Sequence, residues 1–369
     1  MTLATSDYVA RQAALQALEG VDAVALVPGA NLLYFTGLHM HLSERPTIAL
    51  FSADKGLVVI IPELEYGQLE ARSDLAVTAF RWQDQDGYEQ AFAAALDFLD
   101  LQGKSLGVDG MSMRVSESLA LRACEPSMDI TAVERELIAI RARKQPEEIA
   151  ALRRAIAVSE QALQQTLEQI REGMSERQIA RMLSEALLEA GSERLSFGSL
   201  VQTGSNSAFP HGSVTDRCLA QGEALLIDFG GVVADYPADI TRTFCLGEPS
   251  AELARMHAVV LEANQAAIAA SKPGVAMGEV DRAARAVIEA AGYGQYFIHR
   301  TGHGLGLDVH EPIPQIAANV QEVLEPGMVF TIEPGVYVPG VGGVRLEDDV
   351  LITDSGVEVL TSFPKSLHW

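Results

Sequence analysis

Two patterns of apolar positions divide the chain. Up to residue 131, short β-rich apolar runs (24–27, 48–51, 57–61, 77–80 and 106–109) are separated by polar stretches, and 88–99 carries helical spacing. Strands alternating with helices predict an α/β layer domain. No G-x-G-x-x-G follows the first strand, so no dinucleotide site is expected there. Beyond this point the period changes. Gln145-Pro146-Glu147-Glu148 starts a helix, with proline in the first turn and acids near its positive end. Ile149, Leu152, Ile156, Leu163, Leu167 and Ile170 then recur at helical spacing, and Gly173 stops the run. Ser175 and Gln178 form a capping box for a second helix reaching Gly191. A second helical pair is expected over 251–271 and 278–291.

The two pairs resemble each other. Aligning 171–191 with 272–292 matches Gly173 to Gly274, Arg181 to Arg282, Ala190 to Ala291 and Gly191 to Gly292. Further on, Gly222-Glu-Ala-Leu-Leu-Ile-Asp228-Phe-Gly230 aligns without a gap with Gly327-Met-Val-Phe-Thr-Ile-Glu333-Pro-Gly335. Each is a glycine, an apolar strand, an acid and a second glycine. The region therefore reads as two related α/β halves, each delivering a carboxylate at the end of a strand. Domains of 1–131 and 132–369 follow.

Composition narrows the function. The chain has 369 residues, 48% of them hydrophobic, so a sizeable core is available. Its formal charge of −23 argues against nucleic acid and against anionic membranes as partners. Three cysteines without a C-x-x-C pair supply neither a disulfide framework nor a thiolate zinc site. The opening residues lack a basic segment followed by an apolar run, and no apolar stretch approaches a spanning length, so a cytoplasmic protein is expected.

Acids at the ends of core strands are costly unless they are paired or bind metal. Asp228 closes one apolar strand, and Asp239, eleven residues on, would return beside it through a hairpin. Glu333 closes the second strand and Glu347 follows fourteen residues later; Arg345 and Glu347, two apart, share a strand face. Glycine-containing loops carry His211, His299, His303 and His310. Four carboxylates with one or two imidazoles suit Mn, Co or Zn and exceed the needs of one catalytic zinc. Two of the acids could bridge a metal pair, a geometry that supplies hydroxide at neutral pH. Metal-dependent hydrolysis is the reading from the residues alone.

Asp228, Asp239, His303, Glu333 and Glu347, in this order and with these flanks, resemble the ligand set of the pita-bread metallopeptidases. The segment Thr301-Gly-His-Gly-Leu-Gly-Leu-Asp-Val-His310-Glu-Pro most resembles their proline-specific branch, aminopeptidase P and Xaa-Pro dipeptidase (prolidase). The likeness spans residues 135–369, and Asn31-Leu-Leu-Tyr-Phe-Thr-Gly37 is similar to the creatinase-type N-terminal domain. It implies an α/β fold in which that domain precedes a pseudo-twofold pita-bread domain. It implies hydrolysis of the Xaa-Pro bond in dipeptides or at peptide N-termini, by a hydroxide bridging two divalent ions, Mn foremost, with Co or Zn as alternatives. Asp228 would bind one metal, His303 and Glu333 the other, and Asp239 and Glu347 would bridge. Glu333 would also move the proton. His211 and His310 would stabilise the developing oxyanion, and His299 would line the proline pocket. Arg345 would position Glu347 or contact product. A homodimer formed through the N-terminal domain is a further implication. In one departure, the family's usual Gly-Tyr-x-Ser is here Asp235-Tyr236-Pro237-Ala238.

The same fold carries methionine aminopeptidases and non-enzymatic binding proteins, which remain the alternatives. The preceding domain disfavours the first, and the full ligand set disfavours the second. A dipeptidase must also recognise a free C-terminal carboxylate. The candidate is Arg45, in the loop Gly37-Leu-His-Met-His-Leu-Ser-Glu-Arg45-Pro, which could serve the cleft of a neighbouring subunit.

Overall fold

The computed structural model describes residues 5–369. Two compact units result, Met1–Arg141 and Ala142–Trp369. The division falls after Arg141 rather than after residue 131. The helix Glu134–Ala142 is tied back into the first unit: Arg141 donates to Asn31 Oδ1 at 2.7 Å, and Asn31 donates to Asp109 Oδ2 at 2.7 Å.

The first unit is built on a mixed sheet of β1 (Ala23–Leu26), β2 (Ile48–Ser52), β3 (Gly56–Pro62), β4 (Val77–Trp82), β5 (Ser105–Val108) and β6 (Asp129–Ala132), ordered β4-β3-β2-β1-β5-β6. The pairs β1–β2 and β2–β3 are antiparallel, and the remaining pairs are parallel. The helix Glu89–Phe98 lays Phe92, Ala95 and Leu96 on Ile48, Leu50, Val58 and Ile60. The apolar runs marked five of the six strands. β6 escaped because it is a mostly exposed edge strand with a single large apolar residue, Ile130.

In the second unit each half has its own core. The helix Pro146–Leu167 opens with the Gln145–Glu148 capping box, and the helix Glu176–Glu189 with Ser175 Oγ accepting from the Gln178 N–H at 3.2 Å. Their apolar faces cover a sheet of β7 (Leu200–Thr203), β8 (Ala224–Phe229) and β11 (Ile240–Cys245), ordered β11-β8-β7. Between β8 and β11 runs a ribbon of β9 (Val232–Val233) and β10 (Tyr236–Pro237). The helices Ala251–Ala270 and Met277–Ala290 cover the second half. Its sheet contains β12 (Gly302–Gly304), β13 (Glu311–Ile316), β14 (Val329–Ile332), β17 (Asp348–Thr353) and β18 (Gly356–Val359), ordered β13-β12-β14-β17-β18. A second ribbon pairs β15 (Gly335–Val338) with β16 (Gly342–Arg345).

Six of the glycines matched between the halves have a common cause. Gly173 and Gly274 have φ of 85° and 80°, Gly191 and Gly292 of 106° and 85°, and Gly222 and Gly327 of 75° and 90°. All six sit in the left-handed region, where a side chain is strained. The repeat thus preserves the turns that close each helix and open each strand. The substituted hairpin also forms. Ala234 and Asp235 take φ of 51° and 70°, as a tight turn with two left-handed residues requires, and aspartate tolerates this conformation. Glu193 Oε1 accepts the Ala234 N–H at 2.8 Å. Among the described residues no helix is long and apolar enough to cross a membrane.

Candidate metal centre

The two halves of the second unit deliver their acids to one place. Asp228 is the penultimate residue of β8 and faces Thr241 of β11 in register. Asp239 immediately precedes β11, and its N–H donates to Asp349 Oδ2 at 3.3 Å. His303 is the middle residue of β12, and Glu333 directly follows β14. Glu347 lies between β16 and β17, with its N–H donating to the Thr241 carbonyl at 3.0 Å. One ligand atom from each member of three groups lies within 4.8 Å of the others: His303, Glu333 and Glu347; Asp228, Asp239 and Glu347; and Asp239, His303 and His310. The first two groups share Glu347, so one carboxylate joins two adjacent sets of oxygen and nitrogen donors.

The imidazole is prepared as a ligand. His303 Nδ1 lies 3.1 Å from the Gly304 carbonyl, which can only accept, so Nδ1 carries the hydrogen. Nε2 then presents a lone pair, 3.5 Å from both Asp239 Oδ2 and Glu333 Oε1. Burial, helped by the neighbouring His310, pushes this histidine down to about 3, so its ring is neutral.

The carboxylates are displaced upward. Burial, followed by the charges of Glu347 and Asp228, holds Asp239 well above the usual carboxylate range. Burial, then Glu333 and Asp228, does the same to Glu347. Burial raises Glu333 to about 7 against the opposing charge of Arg345, and raises Asp228 despite the same arginine. Acids crowded in this way cannot all be anions without compensating positive charge. Asp228 Oδ1 is buried and accepts no hydrogen bond. An unpartnered acceptor, clustered hard oxygens and a neutral imidazole with a free lone pair together fit divalent cations.

A cleft of about 930 Å³ opens on these groups, and His211, His299, His310 and Arg345 also line it. His211 and His310 are exposed at its surface, while Arg345 is buried. The His310 ring lies 4.0 Å from that of His303, centroid to centroid. His299 Nδ1 donates to the Arg300 carbonyl at 2.7 Å by the same tautomer argument, leaving Nε2 to accept from the Tyr337 hydroxyl at 2.9 Å. The Arg345 guanidinium pairs directly with Asp228 Oδ2 and donates to the Tyr337 hydroxyl at 3.1 Å. Glu347 is reached only through Thr241, whose hydroxyl accepts from Arg345 Nε at 3.1 Å and donates to Glu347 Oε2 at 2.6 Å. Arg45 belongs to the first unit, where its fork holds Asp84 through Nε–Oδ1 at 2.9 Å and Nη2–Oδ2 at 2.8 Å.

Several supporting residues carry no local sequence signal. Thr241 and Tyr337 are two of them. Asp281, fully buried on the helix Met277–Ala290, accepts from the Thr301 N–H at 3.0 Å and hydroxyl at 2.8 Å and grips Arg285. Arg285 in turn donates to the carbonyls of Phe297 and His299, both at 3.0 Å. The segment holding His299 is thereby fixed on both sides. Lys144 Nζ meets Glu311 Oε2 at 2.7 Å with both side chains 2% exposed or less, directly beside His310.

Comparison with known proteins identifies the family. The chain is 34% identical, over 93% of its length and 95% of the relative's, to an uncharacterized peptidase of Staphylococcus aureus. The structure of a prolidase from Thermococcus sibiricus superposes with a TM-score of 0.93 at 31% identity, covering 100% of both chains. That of an X-Pro aminopeptidase from Thermotoga maritima gives 0.84 at 31% identity, covering 95% of this chain and 97% of the other. Residues 10–143 match the creatinase/prolidase N-terminal domain and residues 150–354 match metallopeptidase family M24, the family to which this chain belongs.

Proposed function

We propose that the protein hydrolyses the Xaa-Pro peptide bond of dipeptides or peptide N-termini, using two divalent metal ions, with manganese the first choice. The observation that carries this reading is the pair of donor sets sharing Glu347. Asp228 and Asp239 belong to one set and His303 and Glu333 to the other. Asp239 also approaches His303 at 3.5 Å, which suits it to bridge along with Glu347. Bound there, such a pair supplies a nucleophile from water at neutral pH and polarises the scissile carbonyl.

The chain's own residues do the rest. Glu333, which lines the cleft beside His303, is placed to take a proton from the attacking water and return it to the leaving nitrogen. His211 and His310 face the cleft as donors to the developing oxyanion. Neither nitrogen of His299 is free to donate toward a substrate, so this ring contributes an apolar wall suited to a proline ring. Arg345 holds Asp228 in place from behind. An Xaa-Pro bond lacks an amide N–H. A site that polarises the carbonyl and encloses the ring does not require that donor.

Arg45 is the proposed anchor for a free C-terminal carboxylate, acting on the cleft of a second copy in a homodimer. Its bidentate hold on Asp84 displays the geometry that such a clamp needs, and substrate would take the place of Asp84. The decisive experiment measures metal content after dialysis and manganese-dependent release of proline from Ala-Pro. A metal-free protein inert toward Xaa-Pro substrates would overturn the reading. Comparing Ala-Pro with Ala-Pro-Ala, with and without Arg45→Ala, then separates the two activities. The clamp predicts a preference for the dipeptide that the substitution erases, and equal cleavage of both by the unmodified protein refutes it.

A further inference from the structure

The segment that carries His211 is organised by a carboxylate outside the metal centre. Glu176, in the first turn of the helix Glu176–Glu189, is 0% exposed. Its Oε1 accepts from the Thr203 N–H at 2.8 Å, the Thr203 hydroxyl at 3.2 Å and the Asn206 amide at 3.0 Å. Its Oε2 accepts from the Thr215 N–H at 2.8 Å and the Thr215 hydroxyl at 2.6 Å. One carboxylate thus gathers both ends of the 203–215 segment. Every donor is matched to an acceptor oxygen, the arrangement under which a buried carboxylate is stable.

Between those ends the chain folds on itself, the Phe209 N–H donating to the Asn206 carbonyl at 3.1 Å, the Gly212 N–H to the Phe209 carbonyl at 3.0 Å and the Ser207 hydroxyl to the Gly204 carbonyl at 2.5 Å, and three further bonds tie it to its surroundings. Gln202 Nε2 donates to the Phe209 carbonyl at 3.0 Å, the Gly343 N–H donates to Ser207 Oγ at 2.7 Å, and Arg345 reaches the Pro210 carbonyl at 3.4 Å. The His211 ring has no hydrogen-bond partner among the described residues and is exposed toward the cleft. Its position is therefore inherited from the backbone, and the backbone is closed by Glu176. Asp281 solves the same problem in the second half by fixing the segment of His299. The two acids occupy different turns of the paired helices, so the solution is shared where the residue position is not.

We propose that Glu176 is the positioning residue of His211: its carboxylate closes the 203–215 loop and so sets where the imidazole meets the substrate. The claim rests on the Xaa-Pro hydrolase reading only for the substrate. Glu176→Gln retains one acceptor oxygen and turns an NH2 toward donors that already point inward. A displacement of the imidazole by about 1 Å is expected to lower kcat for Ala-Pro roughly 100-fold, with KM changed less.

Three readouts test this. In a double-mutant cycle, Glu176→Gln should cost about 100-fold in the unmodified chain but less than about 3-fold in a His211→Ala background, because the two act through one group. An equal loss in both backgrounds overturns the proposal. Metal content of Glu176→Gln should match that of the unmodified protein, and loss of metal would assign Glu176 to the ligand scaffold instead. Nuclear magnetic resonance of the His211 imidazole should show shifted signals in Glu176→Gln and in the milder Thr215→Val, which removes one hydroxyl donor. Unchanged His211 signals in both variants overturn the proposal even if the protein cleaves no Xaa-Pro substrate, a result that would by itself refute only the functional reading.

Discussion

Stripped of metal, the protein should lose stability as the pH rises, and the structure sets the size of the effect. Glu333 stands at about 7 against an ordinary 4.5, because burial penalises its charge more than Arg345 favours it. That displacement corresponds to roughly 3 kcal/mol. The sign follows from linkage. The folded state prefers the protonated acid, so its contribution is complete below 4.5 and is lost as the pH climbs through about 7. Asp228, Asp239 and Glu347 are raised as well, each first of all by burial, so they act in the same direction. At about 2–4 °C of Tm per kcal/mol for a unit of this size, chelator-treated protein should melt roughly 6–12 °C lower at pH 8 than at pH 5. Added manganese should raise Tm more at pH 8 than at pH 5, since the ligands must shed protons to bind it. Thermal unfolding across this range, with and without chelator, is the assay. Glu333→Gln should flatten the dependence and melt above the unmodified protein when both are metal-free at pH 8, although it removes activity. A chelated Tm that is flat or rises between pH 5 and 8 would refute the account of the cluster as charge awaiting a cation.

Two further outcomes follow from the supporting residues. Thr241→Val removes the hydroxyl that joins Arg345 to Glu347, so metal affinity measured by competition with a chelator should fall about 10–100-fold; unaltered affinity would show that Glu347 needs no such partner. Lys144→Met leaves Glu311 buried without its counter-charge and should cost about 3–5 kcal/mol in urea unfolding, much of it recovered in the Lys144→Met/Glu311→Leu pair; an equal loss in both would mean that packing and not charge is at stake.

The candidate donor cluster was legible in the sequence because its acids are announced locally. Asp228 and Glu333 end apolar strands that open on a left-handed glycine, Gly222 and Gly327, and a chain that writes this pattern twice exposes it to comparison. Arg345 shows where such reasoning stops. Two residues apart on a strand share a face, which pointed Arg345 at Glu347. But β16 ends at Arg345, the alternation ends with it, and Glu347 lies beyond. The guanidinium instead crosses to Asp228, 117 positions earlier, and meets Glu347 only through Thr241. Tyr337, Asp281 and Glu176 are of the same kind. Each is an ordinary strand or helix residue until sheets and helices distant in sequence are packed together. Lys144 and Glu311 make the point most sharply, because a lysine ahead of a helix and a glutamate after a histidine are unremarkable in a linear text. Only once Gly304 pairs with Glu311 across the β12–β13 ladder, and the Lys144 N–H binds the Gly327 carbonyl, do two charges 167 positions apart become a single buried contact beside His310. Local pattern could therefore single out the candidate donors, whereas the residues that aim them are products of chain closure and become visible only in the folded molecule.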